Sequence, residues 1–98
     1  MTSIEIVEAR IEPSGVISEV AAVFELTVTS DGALKSLPGS RHWHLKRAKQ
    51  RGTLEITHWP QEGRLWVCYH SNRAGSWVPD IAQQFAASLA EKVCGRIE

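Results

Sequence analysis

The sequence predicts an α+β domain: an antiparallel sheet of about five strands with one C-terminal amphipathic helix packed on one face. Three observations predict it. Residues 41–48, 53–59 and 65–71 are short runs suited to strands, separated by Gly52 and by Pro60-Gln61-Glu62-Gly63. Their apolar positions agree on one buried side. The last twenty residues carry apolar side chains at helical spacing.

The strands can be set in register by matching opposed residues. A four-residue turn at 60–63 puts Ile56 opposite Val67 and Leu54 opposite Tyr69 on one face, with Thr57 opposite Trp66 and Glu55 opposite Cys68 on the other. A second four-residue turn at 49–52 puts Leu45 opposite Ile56 and makes Lys46 and Glu55 a charge pair. Both hairpins then agree on the apolar side of the middle strand, and a one-residue slip would reverse it.

The helix is predicted over Pro79–Val93. Ser76 is the expected N-cap, Pro79 suits the first turn and Asp80 the positive end of the helix dipole. Ala82, Phe85, Ala86, Leu89, Ala90 and Val93 form one apolar stripe, and Gly95 stops the helix. The stripe is expected to pack on Leu45, Leu54, Ile56, Leu65 and Val67. In the first half, Ile4–Glu12 and Val16–Thr29 flank a predicted hairpin turn at Pro13-Ser14-Gly15. Val20, Ala22, Phe24, Leu26 and Val28 alternate as in a strand. Ile17, Val20, Ala21 and Phe24 would also line one face of a helix. The strand is favoured because Val, Thr and Phe dominate the segment's end.

With 98 residues, 43% hydrophobic and 22% charged, residues 1–98 are expected to form one folded domain. The longest apolar run is Val20–Phe24, so no membrane span is expected, and the N-terminus lacks the pattern of a signal peptide. Cys68 and Cys94 make no disulfide framework, and a cytoplasmic location is the default expectation. Net charge is zero but uneven: residues 1–40 carry −4, residues 41–78 carry +5 and the remainder −1. That leaves room for one positive face.

The predicted register has a chemical consequence. The sheet face away from the helix displays His42, His44 and Lys46 on one strand, then Thr53, Glu55, Thr57 and Trp59, then Trp66, Cys68 and His70. Two tryptophans on such a face call for a cover: the first two strands or the 30–40 loop folded over as a second core, a dimer mate, or a ligand. Two ligand-type pairs, His42-x-His44 and Cys68-x-His70, suit zinc by residue type. In this register they lie two strands apart, about 9.6 Å at ~4.8 Å per strand, and His44 is level with Trp66. No metal ligand and no cofactor are therefore expected. Cys68, His70 and Glu55 also resemble the parts of an activated nucleophile, yet nothing points to an oxyanion hole, so no catalytic residue is assigned. Arg73 stands just before the helix, where an anion could be held.

The expected function is a small non-enzymatic interaction module that forms a homodimer through this aromatic and histidine face. One alternative is a small-ligand-binding protein or enzyme with its pocket around Glu55, Cys68 and His70. The candidate ligand- or partner-binding residues are His42, His44, Lys46, Glu55, Trp59, Trp66, Cys68, His70 and Arg73. A second alternative is nucleic-acid binding through the basic 41–51 segment, with Arg41, Lys46, Lys49 and Arg51 supplying phosphate contacts.

Overall fold

The computed structural model describes all residues, Met1–Glu98. Six strands form one antiparallel sheet: β1 (Thr2–Val7), β2 (Thr27–Gly32), β3 (Arg41–Lys46), β4 (Leu54–Trp59), β5 (Arg64–Tyr69) and β6 (Arg96–Ile97). Their spatial order is β2-β3-β4-β5-β1-β6. Two helices accompany them, α1 (Ile17–Val23) and α2 (Trp77–Lys92). The α+β class and the C-terminal helix on the sheet match expectation. The sheet has one strand more than expected, and the chain has a second helix. No helix is long and apolar enough to cross a membrane.

The first thirty residues differ most from the sequence reading. Val16–Thr29 is not one strand. Ile17, Val20 and Ala21 are buried, whereas Val23 is 72% exposed, so the helical face prevails over the alternating one. Phe24 then meets Phe85 of α2, with ring centroids 5.5 Å apart. Only Thr27–Gly32 is strand, at the sheet edge. Pro13-Ser14-Gly15 forms a 3-10 turn rather than a hairpin, because β1 pairs with β5 and β6 and not with β2. The short β6 needs α2 to end close to β1. Cys94 takes a left-handed conformation, and the Gly95 N–H donates to Ala90 O at 2.8 Å. A side chain on Gly95 would stand 2.7 Å from Val7 O, so only glycine lets the chain turn there.

The β4–β5 hairpin has the expected register, with Ile56 opposite Val67, Thr57 opposite Trp66 and Glu55 opposite Cys68. The β3–β4 hairpin does not. Leu45 faces Leu54 rather than Ile56, and His44 rather than Lys46 faces Glu55. The connection is longer than a four-residue turn because its second half is tied to the start of α2. Trp77 Nε1 donates to Arg51 O at 2.7 Å, and the Arg47 guanidinium lies over the Trp77 ring at 5.4 Å. Gly75, at φ +56, lets the Arg51 carbonyl approach where a Cβ would sit. Lys46 Nζ reaches Gly52 O at 3.4 Å instead of Glu55. The displacement is two residues, an even number, so every side chain keeps its face while its cross-strand partner changes.

The core lies between the sheet and the helices. Leu45, Leu54, Ile56, Leu65 and Val67 are buried against Phe85, Ala86, Leu89 and Val93. Side chains of Leu or Phe size contribute roughly 1.5–3 kcal/mol each on burial. Helix α2 begins two residues earlier than Pro79, at Trp77, and Ser76 makes no side-chain capping bond. The anchored indole of Trp77 replaces that cap in fixing the helix start.

Candidate functional site

The face opposite the helices is where the polar side chains converge. Residues alternate in and out along β3, so His42 and His44 point outward between the buried Trp43 and Leu45. The observed register puts His44 directly across from Glu55 and His42 across from Thr57. His70 follows β5 on the far side of Glu55. One carboxylate therefore sits among three imidazoles.

The distances define a small, tight cluster. His42 Nε2 lies 3.0 Å from Glu55 Oε1, and His44 Nε2 lies 3.1 Å from His42 Nε2. His44 Nε2 is 3.6 Å from Glu55 Oε1, and His70 Nε2 is 3.8 Å from Glu55 Oε2. The other nitrogen of His42, Nδ1, is 2.7 Å from the hydroxyl of Thr57. Thr57 is buried, and this is the only side-chain bond its hydroxyl makes in the fold. The Glu55 side chain is only 14% exposed, yet its carboxyl is held below the ordinary glutamate range. The hydrogen bond from His42 is the main cause and outweighs the opposing effect of burial.

Over this cluster lies a basin of about 250 Å³, walled by His44, Thr53, Glu55, His70 and Arg73, with no hydrophobic side chain among them. Arg73 reaches it from a 3-10 turn at Ser71–Arg73. Of the sequence-predicted candidates, His42, His44, Glu55, His70 and Arg73 thus come together. Lys46 is on the same face but turned to Gly52. Trp59 and Trp66 stand at the other end. Trp59 Nε1 donates to Pro38 O at 2.9 Å, so the 30–40 loop partly covers it, and Arg64 lies over the Trp66 ring at 4.4 Å. Arg64 is itself paired with Glu5.

Cys68 lies directly across from Glu55 on the same face but does not line the basin. It is 2% exposed, and burial, reinforced by the charge of Glu55, pushes its thiol up to about 12. It is a protonated, packed side chain at neutral pH. The four cations proposed for phosphate contacts do not converge either. Arg41 is bound to Asp31 at 2.7 Å and lies over Trp43, on the sheet side opposite Lys46. Lys49 and Arg51 project from the connection after β3.

Thr53 and Thr57 were legible as members of this face but not as site residues. Their alternation with Glu55 was the available signal. The expected offset of His44 along the strands disappears, while the two-strand separation from Cys68 stays: with His44 opposite Glu55 and Glu55 opposite Cys68, all three share one cross-strand row. Compared with protein-family profiles, curated protein sequences and solved structures, the chain matches none of them significantly.

Proposed function

We propose that the chain is a small ligand-binding module that takes a small polar solute in the basin over Glu55. The observation that carries this is a cup lined only by polar residue types, with a carboxylate on its floor and a guanidinium in its wall. Arg73 suits an anionic group of the solute, through charge-assisted hydrogen bonds. Glu55 suits a hydroxyl or ammonium donor of the same molecule. The imidazoles of His44 and His70 and the Thr53 hydroxyl supply further polar contacts. At about 250 Å³ the basin is smaller than the roughly 300–1,000 Å³ of drug-sized sites, which points to a hydroxy acid, amino acid or similar compact molecule. The protonated state of Cys68 favours binding over nucleophilic catalysis.

Self-association through the Trp59 and Trp66 face is the competing reading. Both indoles are half-buried, and each is engaged by the chain's own groups. Of the large exposed apolar side chains, Ile11 and Val23 lie off the sheet, and Met1 is the residue ahead of β1. Little apolar area is therefore left there for a mate.

Native mass spectrometry of gently purified protein separates the two. The expected result is a monomer carrying a small retained mass. Backbone amide shifts on adding hydroxy acids and amino acids should then cluster at His44, Thr53, His70 and Arg73. A ligand-free dimer, or shifts confined to other surfaces, would overturn the basin in favour of the interface.

A further inference from the structure

The cluster beneath the basin has more electron pairs than protons to bridge them. His42 Nε2, His44 Nε2 and Glu55 Oε1 stand 3.0, 3.1 and 3.6 Å from one another. With His42 protonated on Nε2 and His44 on Nδ1, the Thr57 hydroxyl donates to His42 Nδ1, and His42 Nε2–H is the single proton facing both Glu55 Oε1 and the lone pair of His44 Nε2. We infer that His42, His44 and Glu55 form a binding site for a divalent transition-metal ion of the zinc class, with its open positions facing the basin.

The geometry fits such an ion. Donor atoms bound at about 2.0–2.1 Å to a tetrahedral zinc stand about 3.4 Å apart, and cis donors in an octahedron about 3.0 Å apart. The three observed separations span that interval, so side chains need shift by only tenths of an ångström. All three donor atoms lie within 4.8 Å of each other. Two imidazoles and one carboxylate on one side of an ion leave the other side open, an arrangement that suits zinc, iron or cobalt rather than the all-oxygen shells of calcium and magnesium.

The supporting shell fits as well. When His42 Nε2 binds the metal its proton leaves, and the tautomer must carry its proton on Nδ1. The Thr57 hydroxyl can rotate from donor to acceptor and hold that proton at the same 2.7 Å position. Glu55 and His42 are mostly shielded, at 14% and 11% side-chain exposure, while His44 at 41% leaves a way in. The donors come from adjacent strands in fixed register, a rigid platform. His70 Nε2, 3.8 Å from Glu55 Oε2, stands beside these three donors, within reach of a metal-bound water.

This inference rests on the basin reading only for where the open positions point. The test uses chelator-treated full-length protein titrated with zinc sulfate in metal-free buffer by calorimetry. One ion per chain is expected. Glu55→Gln and His44→Gln should each weaken it by at least about tenfold, and Thr57→Val by roughly 10–100-fold. His58→Gln, outside the cluster, should not change it. Long-range proton–nitrogen spectra should show zinc shifting Nε2 of His42 and His44 while Nδ1 of His42 keeps its proton. His44 is half-exposed, so its variant keeps the fold even where Glu55→Gln fails by circular dichroism. No binding at millimolar zinc, or stoichiometric binding undiminished in folded His44→Gln, would overturn the site. Solute binding without zinc binding would remove the metal and leave the basin standing. Zinc binding without any solute would do the reverse.

Discussion

Phe85→Ala is the sharpest test of how the helix is held on the sheet. Phe85 is fully buried, and its ring meets Phe24 at 5.5 Å with the planes tilted by 50°. Its surroundings come from three directions: the sheet beneath, Leu89 along the same helix stripe and Phe24 just beyond α1. Such a site cannot collapse easily, so truncation should cost about 3–5 kcal/mol. Of that, roughly 0.5–1.5 kcal/mol belongs to the aromatic pair and should appear as coupling in a double-mutant cycle with Phe24→Leu. A domain of this size loses about 4–8 °C of Tm per kcal/mol, so the midpoint should fall by at least ~12 °C. Urea titration followed by circular dichroism measures the free energy, with an unchanged slope showing that the unfolded state is unaffected. A loss below about 1 kcal/mol would refute the placement of Phe85 between the two helices and the sheet.

Other outcomes follow from individual side chains. Iodoacetamide on the native protein at mildly alkaline pH should label the exposed Cys94 and spare Cys68, whose thiol burial pushes up to about 12; peptide mapping reads the result, and labelling of Cys68 first would contradict it. Burial holds His58 below the ordinary histidine range despite Glu12 nearby. The unfolded chain then accepts a proton that the folded chain resists, so stability falls as pH drops below about 6.5 and levels off below the folded value. His58→Gln should flatten that fall, and an unchanged slope in denaturant titrations would count against it. Gly75→Ala should destabilise by more than about 1 kcal/mol because it strains the backbone and crowds the Arg51 carbonyl; an unaffected melting curve would show that the tie to the β3–β4 connection is loose. Single-stranded oligonucleotides should not bind appreciably at low salt, since Arg41 and Lys46 point to opposite faces; binding with a salt slope near −3 would show that all four cations engage.

The second half of the fold was legible because several signals coincide there. Ile56 has to match Val67, the 60–63 turn has only one sensible length, and Phe85, Leu89 and Val93 repeat at helical spacing. The β3–β4 connection was not legible, because its length is set by Trp77 and Gly75, some 25 residues onward in sequence, and no local turn signal announces that tie. Parity nevertheless protected the site. A two-residue displacement keeps His42, His44 and Glu55 on one face, so the right residues were named while their mutual distances were not. The N-terminal segment failed for a different reason. Ile17–Phe24 carries both a period-two and a helical pattern, and only the buried positions of Ile17, Val20 and Ala21 against α2 decide between them. The insertion of β1 between β5 and β6 is a non-local pairing that leaves no mark on composition.

The solute basin and the metal site share Glu55 and His44, and both rest on imidazoles gathered at the Glu55 carboxylate. Carbon-detected NMR of that carboxyl across an acid titration of the ligand-free protein tests this most directly. The Glu55 carboxyl should titrate below the ordinary glutamate range, held down chiefly by the His42 hydrogen bond, and its protonation should move the ring signals of His42 and His44. An ordinary glutamate titration that leaves those rings unmoved would mean that the cluster does not form, and would contradict both readings at once.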